Sequence, residues 1–175
     1  ASDVYKRQVH EYLDWLEKQL PFPVYRVMHK DGLKDAVINN SFSAVPFFSN
    51  SGGLGRRQCT REYKITPIQK KVRELLGYEK YKRIPAGAAT MWIGISTDES
   101  IRMKPSRVAW IEHRWPLIEL EMSRGQCLLW FGKHNHPMPP KSSCLGCPYH
   151  SDRQWIDIKN NDAQEWSETI MIDHQ

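Results

Sequence analysis

Residues 88–95 read Ala-Ala-Thr-Met-Trp-Ile-Gly-Ile, and Ser-Thr-Asp follows at residues 96–98. A short apolar run that ends in turn residues predicts a buried β-strand. Residues 24–28 and residues 108–111 are also apolar enough to form short strands. Strands that alternate with helices are typical of a parallel sheet, so we expect an α/β fold in which helices cover a partial parallel sheet.

Helices are predicted on both sides of that strand. Apolar residues recur every three or four positions from Val9 to Leu20, which is typical of one face of an amphipathic helix. Pro67 is expected to interrupt a later helix, and Gly77 is expected to end it. Ser123 has the side chain of an N-cap. The predicted helical stretches are residues 9–20, 32–39, 59–76, 124–131, 152–159 and 163–172, and residues 39–58 are predicted to form a loop.

Length and composition favour one globular domain. The chain has 175 residues, of which 40% are hydrophobic, enough for one core. We expect an α/β part at residues 9–120 and a cysteine-rich, helical part at residues 121–175. No run of about 18 apolar residues occurs and no segment has the pattern of a secretory signal, so we expect a cytoplasmic location and no membrane contact. The net charge of +5 favours an anionic partner.

The first residues differ in character from the rest. Ser-Asp-Val-Tyr-Lys-Arg-Gln at residues 2–8 reads as an assembly or adapter scar, so residues 1–8 are expected to be non-native. On this interpretation the natural protein begins further upstream, and the chain is its C-terminal portion.

Four cysteines carry the strongest chemical signal in the sequence. Cys144 and Cys147 form a CxxC motif at residues 144–147, which we call the knuckle. The tight turn of such a motif directs two thiolates to one point. Together with Cys59 and Cys127 they supply the usual ligand set of a structural zinc ion or a cubane cluster. The irregular spacing departs from the two matched CxxC pairs of a zinc ribbon and favours an iron-sulfur cluster.

Other interpretations of the knuckle stay open at this point. A redox-active pair, a disulfide and two buried thiols are the alternatives, although a Pro-rich loop precedes the knuckle where a redox motif would follow a strand. His134, His136 and His150 are further candidates for zinc ligands, or polar loop residues near a metal site.

Three segments together resemble the phosphoadenosine phosphosulfate reductase family, within the adenine nucleotide alpha-hydrolase-like (PP-loop) group. The first reads Arg-Arg-Gln-Cys-Thr-Arg-Glu-Tyr-Lys-Ile-Thr-Pro at residues 56–67, and is similar to the family's cysteine, basic and proline signature. The second reads Trp-Ile-Gly-Ile-Ser-Thr-Asp-Glu-Ser-Ile-Arg at residues 92–102. The third is the knuckle. The resemblance covers about residues 9–155 and is closest to the branch common in phage and prophage genomes.

The resemblance implies a PP-loop fold and a four-iron, four-sulfur cluster, with Cys127 supplying a ligand that the family places beside the equivalent of Cys59. It also implies an adenine nucleotide or a sulfonucleotide as substrate. Basic side chains then become candidates for binding its phosphate or sulfate groups. These candidates are Arg57, Lys64, Arg102, Lys104 and Arg107.

Two departures from the family limit what is carried over. The PP-loop itself is absent: Ser-Gly-Gly-Leu-Gly at residues 51–55 resembles its opening but lacks the Asp and Ser, and a missing N-terminal region explains this. The C-terminal catalytic cysteine is also absent, since no thiol follows Cys147. Without that thiolate there is no nucleophile to take sulfur from a sulfonucleotide by thiosulfonate chemistry.

The leading functional hypothesis is therefore an enzyme of this family, which transfers or reduces sulfur and is inactive as this fragment. Nucleic acid is a candidate sulfur acceptor. The alternative is a non-enzymatic module in which a zinc site supports a basic, nucleic-acid-binding surface carrying Trp110, Trp115 and Trp130. A third hypothesis is a structural fragment of a decayed enzyme.

Overall fold

The computed structural model describes residues 6–30, 32, 52–53, 59–145 and 147–173. The protein is a mixed α/β structure with a small parallel sheet. In chain order the described elements are α1 (Arg7–Gln19), a π-helical turn (Arg61–Ile65), α2 (Thr66–Leu75), β1 (Ala89–Trp92), a 3-10 helix (Thr97–Arg102), β2 (Ile111–Arg114), α3 (Pro116–Glu119), α4 (Arg124–Lys133), α5 (Asp152–Asn161) and α6 (Ala163–Asp173). None of the helices in these described stretches is long and apolar enough to span a membrane.

Contacts divide the chain into two compact units. The knuckle unit contains Ala1–Lys71 and Pro139–Gln175, and the sheet unit contains Val72–Met138. Cys59, Cys144 and Cys147 belong to the knuckle unit, whereas Cys127 belongs to the sheet unit. The predicted parts at residues 9–120 and 121–175, and the PP-loop fold, stay predictions.

The sheet unit is built on β1 and β2, which pair in parallel with Ala89 opposite Ile111 and Trp92 opposite Arg114. Side chains alternate between a face directed inward and an exposed face, as a strand with one buried side requires. Ile84, Ile95 and Ile111 form the core of this unit, each less than a tenth exposed. The central part of the strand predicted at residues 88–95 is thus confirmed, and so is the parallel pairing.

The second strand begins later than predicted. The Ser106 hydroxyl bonds to the backbone of Val108, and the Ile111 amide donates to the Val108 carbonyl oxygen at 3.3 Å. These bonds hold residues 108–110 in a turn, because a serine hydroxyl offers the backbone an alternative to ladder pairing. The strand therefore occupies Ile111–Arg114.

Capping interactions explain where α4 begins. The Ser123 hydroxyl accepts from the Gln126 amide at 3.2 Å, and the Gln126 side chain accepts from the Ser123 amide at 2.7 Å, which is a complete capping box. Asp98 also accepts a hydrogen bond from the Arg124 amide. This bond holds the pKa of Asp98 below its usual value. The predicted N-cap and helix are confirmed.

In the knuckle unit, α5 packs against α6 and buries Ile158 to 2% exposure and Thr169 to 6%. Asp162 joins the two helices by accepting hydrogen bonds from the amides of Gln164 and Glu165 at the start of α6. Helix α1 buries Val9 in the same unit. The helices predicted at residues 9–20, 152–159 and 163–172 are confirmed to within two residues at each end.

The strand predicted at residues 24–28 is wrong. Arg26 forms ion pairs with Asp14 and Glu17 of α1, at 2.6 and 2.7 Å, so this segment lies along the helix. Tyr25 and Met28 are about half exposed, so the apolar run is not buried as a central strand would be.

Of the helix predicted at residues 32–39 the structure describes Gly32 alone, and most of the loop predicted at residues 39–58 lies outside the described residues.

Candidate functional site

The knuckle brings two thiols together. The Cys147 amide donates to the Cys144 carbonyl oxygen at 3.2 Å, closing a tight turn, and Leu145 between them is buried to 2% exposure. A hydrogen bond shared with the Cys147 side chain, together with burial, raises the pKa of the Cys144 thiol. All four cysteines carry free thiols. The knuckle is therefore a reduced dithiol pair in which Cys144 favours its protonated form.

Cys59 and Lys64 act on this pair from a distant part of the sequence. The positive charge of Lys64 lowers the pKa of Cys144, whereas negative charge on Cys59 raises it. Both effects require the two side chains to lie near the knuckle, since charge interactions weaken with distance and are screened by solvent. The structure thus brings three of the four predicted cysteines and one predicted basic residue to the same region of one unit.

A π-helical turn at Arg61–Ile65 follows Cys59 and contains Lys64. Hydrogen bonding from residue i to i+5 widens the helix locally, so the direction of Lys64 relative to Cys59 differs from that in a continuous α-helix. Here the Thr66 amide donates to the Arg61 carbonyl oxygen, and the Thr66 hydroxyl donates to the same oxygen at 2.9 Å.

Pro67 is the residue that favours this widened turn. It lacks an amide hydrogen for the Tyr63 carbonyl oxygen four residues earlier, and its ring would clash with that oxygen in a regular α-helix. Pro67 is buried in the first turn of α2, which runs on to Leu75. The prediction of a helix broken at Pro67 is confirmed; the local form of the break, a π-helical turn, was not predicted.

The fourth predicted ligand lies in the other unit. Cys127 is half-buried on α4 of the sheet unit, and its part in the set formed by Cys59, Cys144 and Cys147 stays a prediction. Within the described stretches, no three Cys, His, Asp or Glu side chains are grouped closely enough to hold a metal ion. Thiols are chemically suited to zinc or an iron-sulfur cluster. Closing such a centre requires Cys59 to approach the knuckle and Cys127 to join it.

His150 is buried beside the knuckle as a neutral side chain. Its Nε2 lies 2.8 Å from the Ser143 hydroxyl, and its ring packs edge-on against Trp155. Burial, with the positive charges of Lys6 and Lys141, lowers the pKa of His150 to about 4. His134 and His136 lie in the sheet unit, so these three candidate zinc ligands do not form one group within either unit.

Lys6 and Lys141 also line a cavity of about 300 Å³ near the start of α5. Arg153 contributes a third cation, and Lys141 donates to the Gln154 side chain at 3.0 Å. Asp157 at the same cavity pairs with Lys6 at 3.6 Å. The cavity is large enough for a small anion, although Lys6 belongs to the segment interpreted as a scar.

The predicted phosphate-binding residues are divided between the two units. Lys64 lies near Cys144, whereas Arg102, Lys104 and Arg107 belong to the sheet unit and are exposed. Arg102 pairs with Glu99 within the 3-10 helix, at 2.5 Å. Arg57 lies outside the described residues. Their roles in binding phosphate or sulfate stay predictions.

The three tryptophans named for the alternative function differ in exposure. Trp110 is half-buried, and the guanidinium carbon of Arg73 lies 5.8 Å from the centroid of its indole ring. Trp115 is half-buried and packs edge-on against His113. Trp130 is 44% exposed.

Trp92 was not among the tryptophans predicted for the surface, yet it is 67% exposed and has the Arg114 guanidinium group over its ring. The alternation of side chains along β1 is the sequence signal that would have predicted its exposure.

Compared with known proteins, the chain has no match: no family model fits it, and neither a curated protein nor a solved structure is similar enough to count as a relative.

Proposed function

We propose that the chain is a phosphoadenosine phosphosulfate reductase-like protein in which Cys59, Cys127, Cys144 and Cys147 hold a four-iron, four-sulfur cluster beside an adenine-nucleotide or sulfonucleotide site. The single observation that supports this most is the response of the Cys144 thiol to Cys147, Cys59 and Lys64. A thiol with two other cysteines and a lysine near enough to act on its pKa has the surroundings that a set of thiolate ligands with a counter-charge requires.

Each residue has a distinct part in this proposal. The knuckle supplies two thiolates on a turn anchored by Leu145, and Cys59 comes from the helical residues just before the π-helical turn. Lys64 offsets the negative charge that several thiolates accumulate, and so favours their ionised, metal-binding form. When bound, the cluster would supply electron transfer or electrostatic stabilisation of an anionic substrate.

The substrate class follows from charge and from the resemblance. Sulfonucleotides and adenylates carry several negative charges, which basic side chains bind by charge-assisted hydrogen bonds. Lys64 lies near Cys144, and the cavity lined by Lys141 and Arg153 adds a second group of cations in the same unit. Sulfur transfer or reduction is the reaction class that the family resemblance implies.

Anaerobic purification tests the cluster directly. We expect a brown protein with broad visible absorbance and close to four iron and four sulfide per chain. Changing any one of Cys59, Cys127, Cys144 or Cys147 to Ser should reduce the iron content by at least about tenfold, because ligand loss opens the cluster to solvent. Ser142→Ala, an exposed change close to the knuckle, serves as the control and should retain iron.

Two further results separate the parts of the proposal. A colourless protein with one zinc per chain would exclude the iron-sulfur cluster while leaving a four-cysteine site. In metal-free protein, Lys64→Ala should slow alkylation of Cys144 several-fold at fixed pH, because loss of the positive charge leaves less thiolate. Lys70→Ala, an exposed change on α2, should not slow it.

The alternative function is a zinc-stabilised module that binds nucleic acid. Exposure of Trp92 and Trp130, with Arg114 stacked over Trp92, favours this second candidate, because aromatic and cationic side chains together bind single strands. It predicts oligonucleotide binding with a steep salt dependence and no response to adenine nucleotides. Tight binding of a sulfonucleotide with weak oligonucleotide binding would exclude it.

A further inference from the structure

The end of α4 places two histidines on one turn. The Asn135 amide donates to the Gly132 carbonyl oxygen at 3.2 Å, and the His136 amide donates to the Phe131 carbonyl oxygen at 3.0 Å. Asn135 has a φ of 54°, the left-handed conformation. Together these features define a Schellman motif, in which His134 is the C-cap and His136 is the second residue beyond it. The backbone therefore fixes the positions of both histidines.

The two imidazole rings lie on the same side of this turn. Their planes differ by 16° and their centroids are 6.2 Å apart. Both rings also contact Trp130, His134 by stacking at 4.2 Å and His136 by a tilted contact at 5.4 Å. His134 and Trp130 are exposed to solvent. His134 is thus held by packing on one side and is accessible from the other, whereas His136 is half-buried.

Hydrogen bonding fixes the tautomer of neutral His134. Its Nδ1 lies 2.8 Å from the Trp130 carbonyl oxygen, which can only accept, so Nδ1 carries the hydrogen. The lone pair of the neutral ring is then on Nε2. A bond from the second ring nitrogen to a backbone carbonyl is the usual way in which proteins orient a metal-binding histidine.

We propose that His134 and His136 bind one divalent first-row transition metal ion, at a site separate from the cysteines. Imidazole nitrogen suits Cu²⁺, Ni²⁺ and Zn²⁺. The C-terminal end of α4 carries the negative end of the helix dipole, which favours a cation at this turn. No third Cys, His, Asp or Glu side chain joins the pair within the described residues, so water fills the remaining positions.

The ring separation is compatible with a shared ion. A metal about 2.1 Å from Nε2 lies about 3.2 Å from the ring centroid, so two imidazoles that share it have centroids at most about 6.4 Å apart. The observed 6.2 Å lies within this limit. A tetrahedral arrangement would need about 5.2 Å. At 6.2 Å a shared ion is held in a nearly linear arrangement, and a tetrahedral ion requires the two rings to move about 1 Å closer on binding.

Titration with Ni²⁺ tests the proposal on the full chain. Calorimetry should detect one ion per chain apart from any ion held by the cysteines, and this binding should weaken as the pH is lowered because protons compete for the imidazole nitrogens. His134→Ala and His136→Ala should each weaken binding by more than about tenfold, since each removes one of two linked ligands. His113→Ala, which changes another histidine of the sheet unit, should leave binding unchanged.

One additional variant distinguishes binding at the histidines from binding at the cysteines. Cys144→Ser should bind Ni²⁺ at the histidine pair with wild-type affinity and without the absorption bands of a nickel-thiolate complex. If the two alanine variants bind Ni²⁺ as tightly as the wild type, or if all binding disappears in Cys144→Ser, the histidine pair is not the site. Neither result bears on the proposed cluster, because iron content is measured separately.

Discussion

The knuckle and the turn after α4 are two tight turns that each present two metal-binding side chains, but they are held in different ways. In the knuckle, Leu145 is 2% exposed, and a thiol and a lysine from another segment act on Cys144. In the turn after α4, Met138 is 55% exposed and the contacts that position the histidines come from the adjoining helix. The first depends on long-range packing, whereas the second depends on local hydrogen bonds.

This difference has consequences for chemistry. A half-buried pair of thiols is costly to ionise, so a nearby cation such as Lys64 favours its binding of a metal as thiolates. Imidazole binds a metal as an uncharged ligand, so the histidine pair needs no counter-charge, but water competes at every other coordination position. We therefore expect a tightly bound, structurally coupled centre at the knuckle and a weaker, exchangeable ion at the histidines.

Truncation of Leu145 should produce the largest change. Leu145→Ala removes a fully buried side chain within the knuckle, and a change of this kind costs about 2–5 kcal/mol. Met138→Ala, the matched change in the exposed segment after α4, should change stability by less than about 0.5 kcal/mol. Urea denaturation of the two variants measures both. Equal midpoints for the two would show that the knuckle is not anchored by burial.

The second largest effect should be on the pH dependence of stability. His150 has a pKa of about 4 in the folded protein, below the value of about 6.5 expected for an unfolded chain. Between these values the unfolded chain binds more protons, so stability is complete above about pH 6.5 and falls as the pH decreases toward 4. The full shift would correspond to about 3 kcal/mol, and solvent screening of the lysine charges reduces our expectation to about 1–2 kcal/mol.

The His150→Gln variant isolates this contribution. Its unfolding free energy, measured by urea denaturation from pH 4 to pH 7.5, should fall less steeply toward low pH than that of the wild type. His134→Gln, which changes an exposed histidine, should keep the wild-type slope. Parallel curves for wild type and His150→Gln would contradict the buried, neutral state of His150.

The same distinction between local and long-range interactions decides what the sequence could predict. Helices α1, α4, α5 and α6 follow from periodicity and from capping residues such as Ser123, which act within a few positions. The strand predicted at residues 24–28 failed because Arg26 pairs with Asp14 and Glu17 on α1, a tertiary interaction that an apolar pattern does not reveal.

The candidate site shows the same limit. The spacing of Cys144 and Cys147 identified the knuckle, and Pro67 indicated a break in the helix, but neither predicts that the break is a π-helical turn or that Lys64 lies near Cys144. The lowered pKa of His150 depends first on its burial and then on the charges of Lys6 and Lys141, and long-range packing of this kind is not visible in a local pattern. Whether Cys127 completes the ligand set depends on how the two units are arranged, and it stays a prediction.

The smallest effect concerns the backbone of the histidine turn. Helix α2 ends in the same motif as α4, with Gly77 at the left-handed position, where the φ is 76°. Glycine adopts this conformation without strain, asparagine tolerates it, and alanine is disfavoured by about 1 kcal/mol. Asn135→Ala should therefore lower stability by about 1 kcal/mol and weaken Ni²⁺ binding, because the two histidines lose their fixed spacing. Asn135→Gly should retain both properties, as judged by thermal unfolding and calorimetry. Loss of Ni²⁺ affinity in the glycine variant as well would mean that the asparagine side chain, and not the turn, supports the site.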